Sequence, residues 1–442
     1  MADDAWMPTT LGRDSDLLTG YPFKSSQYTN DRNGIKLLRG DNIAQGQLRW
    51  TNVKRWPGNK VEGLERYFLE DGDIVLAMDR PWIDAGLKYA AVNQNDLPVL
   101  LVQRVARLRG GADLDVGFLR YLVGSNEFTH HVLGVQTGTA VPHISGAQIK
   151  EFEFLRPPLK EQRAIADILG TLDDKIELNR QMNRTQEAMA RAIFKAWFVD
   201  FEPVKAKAAG ATSFRGMPQA VFDQLPDRFT DTELGPVPEG WEVVPLSDLV
   251  ELIGGGTPKR KEAEYWGGDI PWFSVRDAPN DGDIWVIDTQ EKITQAGVDN
   301  SSAKVMDAGT SIISARGTVG RLAMAAVPMS MNQSCYGVTG KEGVGDFFVY
   351  FTLNHAVVEL QQRTHGSVFD TITRKTFDGL RRARPQPQIL EAFEEVVGAY
   401  LLKMRGNLLE SEVLSAVRDT LLPKLISGEL RVADTEGGAD AG

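Results

Sequence analysis

The sequence predicts an α/β (α+β) fold in which two similar mixed α/β domains are joined by two long antiparallel coiled-coil helices as a pseudo-twofold internal repeat. The first observation is that short passages recur in the same order in both halves of the 442-residue chain. The second is that each half opens with a turn-rich stretch whose short apolar runs are typical of strands. The third is that each half continues into a long stretch with helical apolar spacing.

The repeat is clearest where TGTAVPHISGAQI, at 137–149, aligns without gaps with HGSVFDTITRKTF, at 365–377. The aligned pairs lie 228 residues apart and include Gly138 with Gly366, Ile144 with Ile372, and Ser145 with Thr373. Earlier matches lie 235 to 237 residues apart, namely Trp6 with Trp241, Gly20 with Gly255, and GDIVLAM at 72–78 with GTSIISA at 309–315. Duplication followed by loop insertions leaves such a slowly drifting offset. The alternative is coincidence among common residues, which the shared order of the matches disfavours.

Residues 1–158 and 240–384 are the two predicted α/β domains. Both are rich in Gly, Pro, Asp and Asn, and apolar runs such as LPVLLVQRVARL lie between the turns. Those run lengths indicate strands of a mixed α/β domain. The turn-rich residues 202–239 predict a linker with some local structure, and residues 431–442 predict a disordered tail.

Residues 159–201 and 385–430 are predicted to form the two long helices. Alternate steps of four and three residues trace a mostly apolar row with a polar centre in each, and Asn179 falls on Asn407. A polar position of this kind sets the register of a coiled coil. The alternative is two ordinary amphipathic core helices. The predicted seam, which would also serve partner docking, consists of Ile165, Leu169, Leu172, Ile176, Asn179, Ile193 and Trp197 on the first helix and Phe393, Val397, Tyr400, Met404, Asn407, Leu421 and Leu425 on the second.

A helix from Lys160 to Val199 would be about 60 Å long at ~1.5 Å per residue. If the chain goes out along the first helix and returns along the second, the two domains lie at opposite ends of a rod. The sequence thus predicts a rod with two similar heads.

Composition narrows the class of protein. No apolar run is long enough for a membrane span, the N-terminus lacks an apolar signal core, and Cys335 is the only cysteine, which together predict a cytoplasmic protein. The net charge of −11 argues mildly against nucleic-acid binding. Residues 385–442 carry 5 basic and 10 acidic side chains, however, so much of the acidity lies at one end. Binding depends on local potential, and the two domains can still present basic faces.

Catalytic signatures are absent from the sequence. We find no phosphate-binding loop, no N-P-P-[YF] adenine-methyltransferase motif and no clean Gly-rich S-adenosylmethionine loop. The histidines lack metal-ligand spacing, and Cys335 has no obvious basic partner. The sequence therefore predicts a non-catalytic binding protein that holds no metal and no cofactor.

Several passages resemble the specificity (S) subunits of type I restriction–modification enzymes, the HsdS family. TELGPVPEGWEVVPLSDL at 232–249 is similar to the beginning of that family's second target-recognition domain. PPLKEQRAIADILGTLDDKIELNRQMN at 157–183 is similar to the start of its central helix, and LLPKLISGELRV at 421–432 to the end of its distal helix. The aligned passages at 137–149 and 365–377 resemble the ends of its two target-recognition domains. The resemblance covers nearly the whole chain.

The resemblance implies a function without chemistry in this chain. Each target-recognition domain would read one half of a bipartite, asymmetric sequence in double-stranded DNA. The helices would set the gap and dock two methyltransferase (M) subunits, which carry S-adenosylmethionine and methylate adenine. Restriction (R) subunits would add ATP- and Mg²⁺-dependent translocation and cleavage. Gly406 and Pro423 interrupt the pattern of the second helix, which leaves open whether both helices dock M subunits equally well.

Candidate DNA contacts are basic and amide side chains in turns, because phosphates attract Lys and Arg, and Arg, Lys, Asn and Gln read base edges. The turns that follow the matched glycines Gly20 and Gly255 are basic in both halves. For any one of these residues, an ordinary solvated surface position is the alternative. The candidates are Lys24, Gln27, Tyr28, Lys54, Arg55, Lys60 and His143 in the first domain and Thr257, Lys259, Arg260, Lys261, Arg316, Arg374 and Lys375 in the second.

Two other functions stay open on the sequence alone. One is the specificity chain of a type II-like two-headed modification system, which shares the same DNA-reading physics. The other is a scaffold that binds only proteins. A sequence preference on DNA separates the scaffold from both DNA-reading functions.

Overall fold

The structure is a computed structural model, and it describes residues 6–138, 141–279, 283–363 and 371–432. The repeat residues 365–370, with Gly366, and the tail residues 433–442 lie outside the described residues. The chain forms two compact units: unit one is Met1–Lys175 with Leu414–Gly442, and unit two is Ile176–Val413. Each unit contains one mixed α/β head and segments of both long helices.

The head of unit one is built from short strands, and the central ones consist of buried apolar residues. Ile74–Ala77 is buried along its whole length, because it lies in the middle of a sheet between two neighbours. The strands are β1 Met7–Thr10, β2 Ser15–Thr19, β3 Ile35–Leu38, β4 Arg55–Trp56, β5 Ile74–Ala77, β6 Trp82–Ile83, β7 Gly86–Leu87, β8 Tyr89–Ala91, β9 Val99–Leu101, β10 Val105–Gly110 and β11 Glu153–Arg156. The helices are α1 Leu11–Asp14, α2 Val116–Val123, α3 Asn126–Val135 and α4 Gly146–Lys150.

These strands form separate sheets in the orders β2-β10-β5-β8, β4-β3-β9, β1-β11 and β6-β7. Strand β10 pairs antiparallel with both β2 and β5, whereas β3 pairs parallel with β9. Helix α2 begins after Asp115, whose side chain accepts hydrogen bonds from the backbone N–H groups of Gly117 and Phe118. A capping box between Ser145 and Gln148 begins α4.

The first long helix, α5, spans Leu159–Phe194 and ends in a π-helical turn at Lys195–Val199. The stretch 202–239, for which the sequence predicts a linker, contains secondary structure. Its elements are α6 Glu202–Ala208, α7 Gln219–Gln224, β12 Phe229–Thr232 and β13 Gly235–Pro238. Val204 and Phe222 from this stretch belong to the main hydrophobic core of unit two.

The head of unit two repeats this plan. Its strands are β14 Glu242–Pro245, β15 Val250–Gly254, β16 Trp266–Phe273, β17 Trp285–Val286, β18 Lys292–Ile293, β19 Ser311–Ser314, β20 Leu322–Ala325, β21 Ser330–Met331, β22 Cys335–Gly340 and β23 Arg381–Arg384. Its helices are α8 Leu246–Leu249, α9 Gln295–Asp299, α10 Asp346–Arg363 and α11 Arg374–Gly379, and the second long helix α12 follows at Pro387–Ser427. The sheet orders are β15-β22-β19-β20-β17, β18-β16-β21 and β14-β23.

Apart from β17 at the sheet edge of unit two and the β6–β7 pair of unit one, the two heads share one strand topology, which confirms the predicted fold class. GDIVLAM contains β5 and GTSIISA contains β19, and both strands pair antiparallel with their sheet neighbours. The glycine match has a packing reason. A Cβ on Gly20 would overlap the carbonyl of Val102, and a Cβ on Gly255 would overlap the carbonyl of Asn332. These glycines allow close backbone approach, so they do not by themselves indicate a DNA-binding turn.

The long helices run antiparallel within each unit. In unit one, Arg418 on α12 lies 2.8 Å from Asp173 on α5, and Ile165 and Leu169 share a core with Leu425. In unit two, the Asn179 amide donates to the carbonyl of Asn407 at 3.3 Å. Asn183 donates likewise to the carbonyl of Met404 at 3.3 Å, and the Asn407 amide donates to the Asn183 side chain at 2.9 Å.

The predicted seam positions face inward to different degrees. The fully buried ones are Ile165, Leu169, Ile176, Asn179, Trp197, Phe393, Val397, Met404, Asn407 and Leu425. The partly buried ones are Leu172, Ile193, Tyr400 and Leu421. Helix α12 runs without a break through Gly406 and Pro423, although Pro423 has no N–H to donate. None of the helices in the described part of the chain is long and apolar enough to cross a membrane.

Candidate nucleic-acid interface

An open cleft with a basic lining lies in the head of unit one. Five cationic side chains line it, against the carboxylates of Asp41 and Asp79. The cations are Arg39, Lys54, Arg80, Lys88 and Arg104, and neutral polar groups from Ser25, Tyr28, Thr29, Asn30 and Gln103 complete the wall. A concave surface with excess positive charge focuses its potential and attracts a polyanion.

The ends of strands bring these cations together. Arg39 directly follows β3, Lys54 directly precedes β4, and Arg104 directly precedes β10. Arg80 follows β5 and donates its backbone N–H to the carbonyl of Pro142 at 2.6 Å. Because neighbouring strands of these sheets end at the same edge, residues far apart in the chain meet in one cleft.

Two of the arginines have an unusual backbone. Arg80 has φ +45° and Arg104 has φ +69°, the left-handed region that costs a non-glycine residue about 1 kcal/mol or more. The backbone hydrogen bond from Met78 to the carbonyl of Arg104, at 2.8 Å, holds this turn. Left-handed non-glycine residues concentrate at ligand-binding surfaces, and these two present their guanidinium groups to the same cleft.

The carboxylates of the cleft are already engaged. The Asp79 carboxylate lies 2.7 Å from Nδ1 of His143 and 3.8 Å from the Arg104 guanidinium, and Asp41 lies 3.2 Å from Arg39. Burial lowers the pKa of Lys88, and the charge of Asp41 partly offsets that effect. Within the described residues, Lys54 and Arg80 have no carboxylate at ion-pair distance, so their charge is available to a ligand.

The predicted residues of this head fall into three groups. Lys54 and Tyr28 line the cleft, and His143 lies at its edge on Asp79. Lys24, Gln27 and Lys60 are exposed but do not line it. Arg55 is partly buried and donates to the carbonyl of Gly34 at 2.7 Å, which is a contact within the fold.

Most residues that line the cleft are not among the DNA contacts that the sequence predicts. Arg39, Arg80, Lys88, Gln103 and Arg104 were not among the predicted contacts. The sequence does contain a pattern that points to these arginines. In each of IKLLR, IVLAMDR and VLLVQR, an apolar run is followed within a few residues by arginine. A buried strand that ends in arginine predicts a cation at the edge of its sheet.

In the head of unit two, Arg260 is committed to internal contacts. Its guanidinium lies over the rings of Trp266, at 3.9 Å, and Trp272, at 5.0 Å, and it pairs with Glu291. The hydrogen bond to Glu291 raises the pKa of Arg260, and the same bond lowers the pKa of Glu291. Arg260 therefore joins the two tryptophans of β16 to Glu291, and part of its hydrogen-bonding capacity is used within the fold although its side chain is 54% exposed.

The other predicted residues of this head lie on separate turns. Thr257 donates to Gln333, and Lys259 and Lys261 are exposed beside it. Arg316 is exposed in the connection between β19 and β20. Arg374 donates to the carbonyl of Leu252 at 3.3 Å, and Lys375 is exposed next to it.

Two further residues correspond between the heads. Gln103 lies in the turn between β9 and β10, and Gln333 lies in the equivalent turn between β21 and β22; both lie at the surface. Lys88 precedes β8, and Arg321 precedes the equivalent strand β20. Glutamine and arginine side chains can read base edges, so these pairs extend the candidate interface.

The described residues hold no cluster of His, Cys, Asp or Glu that could bind a metal ion. Cys335 is buried, and burial raises its pKa to about 12, which keeps it a thiol at neutral pH. The polar groups gathered in the cleft are suited to binding a polyanion, and they do not form a nucleophile–base pair.

Exposed apolar side chains mark the outward faces of the long helices. In unit two they are Leu178, Met189, Leu402, Leu409 and Val413, and in unit one they are Ile168 and Val417. Leu402, Leu409 and Val413 follow one face of α12, whereas the equivalent residues of α5 are Asp174, Gln181 and Thr185. The two helices therefore present different outward surfaces.

The duplicated heads, the antiparallel helices and the basic cleft define a protein of the nucleic-acid-reading class. The family model for the type I restriction modification DNA specificity domain matches residues 32–187 and 238–381. The chain belongs to this family, as the resemblance in its sequence predicted. The two matched regions cover most of the two heads.

Individual relatives agree with the family. The chain is 28% identical over 425 residues to the type I restriction enzyme HindI specificity subunit of Haemophilus influenzae, which covers 86% of this chain and 90% of that protein. It is 36% identical over 175 residues to the EcoAI specificity subunit of Escherichia coli, 39% of this chain and 29% of that one. The crystal structure of the type I S subunit from M. genitalium superposes with a TM-score of 0.59 at 14% identity, over 96% of this chain and 97% of that chain, and shows the shared fold.

The chain is a DNA specificity subunit of a type I restriction–modification system. It is the non-catalytic subunit of such a system, which agrees with the prediction that it performs no chemistry. The absence of catalytic chemistry is consistent with a chain that holds no cofactor of its own.

Proposed function

We propose that the two heads read the two halves of a bipartite, asymmetric target in double-stranded DNA. The observation that carries this proposal is that the heads share most of their strands but differ in the connections between them. The β5–β8 connection of unit one contains the β6–β7 hairpin, whereas the equivalent connection in unit two, at 315–321, is a short loop with Arg316. In each head the loop lies at the equivalent edge of the equivalent sheet. Because the two loops differ in length and residues, we propose that they recognise different half-site sequences.

The basic cleft of unit one is the proposed phosphate-binding surface of its half-site. Lys54 and Arg80 neutralise phosphates, because their charges are not used within the fold, and Tyr28 and Gln103 lie beside them. In unit two, the proposed contacts are the surface turn residues Lys259, Lys261, Arg316, Gln333 and Lys375. The other predicted contacts contribute less, because Arg55, Arg260 and Arg374 already donate to groups of the fold.

Helices α5 and α12 are proposed to set the gap between the half-sites and to dock two M subunits. The seam residues are turned inward in each unit, which leaves the exposed apolar residues of the outward faces for partners. In this proposal the M subunits carry S-adenosylmethionine, and R subunits with ATP and Mg²⁺ join the complex. The complex would work in the cytoplasm, where chromosomal DNA is accessible.

The test is a genome-wide map of methylated adenine by single-molecule sequencing, with and without this gene. We expect a motif of two short defined parts and a fixed degenerate spacer to lose methylation when the gene is deleted. Exchanging only the head at 240–384 for that of a relative should change one part of the motif and leave the other. An unchanged methylome, with the M subunit expressed, would contradict the proposal and favour a protein-binding scaffold.

The cleft has its own test in the assembled complex with M subunits. The double substitution Lys54→Ala with Arg80→Ala should weaken binding to target and non-target duplexes alike. It should also lower the slope of log Kd against log salt by about 0.9 for each phosphate that is no longer neutralised. Lys150→Ala, an exposed lysine outside the cleft, is the matched control. A double variant with an unchanged slope would place the phosphate-binding residues elsewhere.

A further inference from the structure

The β6–β7 hairpin is an addition to the first head, because the equivalent connection in the second head, at 315–321, contains no strand. Strand β6, Trp82–Ile83, pairs with β7, Gly86–Leu87, so that Asp84 and Ala85 form a two-residue tip. Trp82 is 38% exposed and Ile83 is 41% exposed, and Asp84 and Ala85 are exposed as well. A tryptophan and an isoleucine held in water on a two-stranded ribbon indicate a surface that is covered in the complex.

The hairpin is anchored firmly at its base. Leu87 is buried in the core of unit one, and the Lys88 backbone N–H donates to the carbonyl of Pro81 at 2.7 Å. The Gln45 amide donates to the carbonyl of Gly86 at 3.3 Å and supports the second strand from the side. Only the first strand and the tip are exposed, and their position is fixed by the base.

The base of the hairpin also lines the basic cleft. Arg80, two residues before β6, and Lys88, directly after β7, both belong to its lining. A polyanion bound in the cleft therefore lies against the base of the hairpin, where the chain enters and leaves it. The tip carries no cation: its apolar and carboxylate groups do not suit phosphates, but they do suit base edges.

Major-groove geometry fits this arrangement. The groove admits a two-stranded β-ribbon, thymine presents a 5-methyl group there, and cytosine presents an amino group that a carboxylate can accept from. The cations Arg80 and Lys88 lie at the base of the ribbon, where phosphates at the rim of the groove would lie, and apolar groups and one carboxylate occupy its exposed part, which would reach the base edges.

We propose that the β6–β7 hairpin enters the major groove of the half-site read by the first head, where Trp82 and Ile83 contact thymine methyl groups and Asp84 accepts from a cytosine amino group. This inference rests on the proposed reading of one half-site by the first head. The second head reads by a different device, because its equivalent connection at 315–321, which the structure describes throughout, contains no strand.

The experiment uses the full chain in complex with its M subunits and the target found by methylation mapping. Binding is measured by fluorescence anisotropy for wild type, Trp82→Ala, Ile83→Ala and Asp84→Asn. The matched control is Leu133→Ala, which removes a side chain of the same 38% exposure from α3 of the same head. Each duplex is also made with deoxyuracil in place of single thymines, which removes only the 5-methyl group.

We expect Trp82→Ala to weaken target binding about tenfold, with no change in non-specific binding or in the slope against salt. Deoxyuracil in the first half-site should weaken wild type several-fold and leave Trp82→Ala unaffected, whereas deoxyuracil in the second half-site should affect both equally. Asp84→Asn should relax the preference at one cytosine of the first half-site. Leu133→Ala should bind as wild type does.

Three outcomes would overturn the inference. One is a wild-type complex that prefers its target but responds equally to Trp82→Ala and Leu133→Ala. Another is a Trp82→Ala chain that loses affinity for the M subunit without DNA, since the hairpin would then be a protein-binding element. The third is a wild-type complex with no preference between target and scrambled duplex, which would overturn the proposed half-site reading as well. The first two outcomes overturn only the role of the hairpin, so the two failures can be told apart.

Discussion

The two units use the same position of the repeat to join head and helices, but with opposite chemistry. In unit one, Asp173 on α5 accepts hydrogen bonds from Arg120 at 3.0 Å, Tyr121 at 2.9 Å and Arg418 at 2.8 Å. In unit two, the equivalent residues of Asp173, Tyr121 and Arg418 are Leu401, Phe351 and Ala190, which are all buried in one apolar core. One ancestral junction has become an ionic network in one unit and a hydrophobic one in the other.

The two junctions differ in how well they tolerate substitution. An apolar junction tolerates substitution of similar volume, because dispersion and burial are not directional. An ionic junction depends on every partner, because a carboxylate or guanidinium left alone in a partly buried place has lost its water. The ionic junction of unit one is therefore the more specific of the two and the more easily broken.

Helix capping differs between the units in a similar way. Asp115 caps α2 from the residue before the helix, whereas the equivalent residue in unit two is Gly345. There the cap comes from Glu394 on α12, which accepts from the backbone N–H groups of Phe347, at 3.2 Å, and Phe348, at 2.8 Å. A Cβ on Gly345 would overlap the Glu394 side chain, so the glycine makes room for the distant cap.

The largest effect is expected from the ionic junction. Asp173→Leu should lower the free energy of unfolding of unit one by about 3 kcal/mol, because Arg120 and Tyr121 lose their acceptor and Arg418 keeps only the exposed carboxylate of Asp419. The triple variant Asp173→Leu, Tyr121→Phe and Arg418→Ala reproduces the chemistry of unit two and should recover at least half of that stability. Hydrogen exchange measured by mass spectrometry follows peptides of unit one separately from those of unit two.

The control variant is Leu401→Ala, which changes the residue equivalent to Asp173 in the apolar junction of unit two. It should speed exchange in unit two and leave unit one as in wild type. A single Asp173→Leu variant that exchanges like wild type in unit one would show that the ionic junction contributes little to stability.

A smaller effect is expected from the distant cap. Glu394→Ala should destabilise unit two by about 2 kcal/mol, because the first turn of α10 is deprived of the acceptor for two N–H groups. Gly345→Asp alone should also destabilise, because the new side chain collides with Glu394. The double variant should be more stable than either single variant, because the introduced aspartate can then cap the helix as Asp115 does in unit one.

Chemical denaturation with hydrogen exchange of α10 checks this rescue. A double variant whose destabilisation equals the sum of the two single effects would contradict the account of exchanged caps.

The last prediction concerns the pH dependence of the distant cap, Glu394, in unit two. Burial raises the pKa of Glu394 to about 7 against hydrogen bonds that lower it, and the neighbouring charge of Asp346 raises it further. In the unfolded chain the pKa is near its ordinary value, so the unfolded state binds fewer protons between these two values. The stability linked to protonated Glu394 is thus present at about pH 4.5 and is lost as pH rises through about 7.

We expect unit two of wild type to lose more stability than Glu394→Gln between these pH values, by at most about 3 kcal/mol for a pKa difference of this size. The measurement is the difference in hydrogen exchange of α10 between the two proteins, which cancels other titrating groups. Identical pH profiles would show that Glu394 does not titrate in this range.

Individual residues show where prediction from sequence works and where it stops. Asn179 and Asn407 could be matched by counting, and they are hydrogen-bonded partners in unit two. Arg260 looked like a DNA contact because it is basic and follows a turn, yet it is stacked on Trp266 and paired with Glu291. Arg80 and Arg104 were missed, because neither lies in a basic run and each follows a strand whose end could not be placed in space.

The sequence by itself determined the duplication, the mixed α/β heads, the two long helices and the family, because apolar periodicity, turn residues and motif order are local and leave a record in the chain. Only the tertiary structure decided that Arg39, Lys54, Arg80 and Arg104 share one cleft, that Glu394 caps a helix 46 residues away, and that Asp173 meets Arg418. These contacts join residues that are distant in the chain, and their geometry depends on how sheets end and helices pack. The free energy of such contacts comes from burial and from the pairing of charges, which no local pattern of residues records.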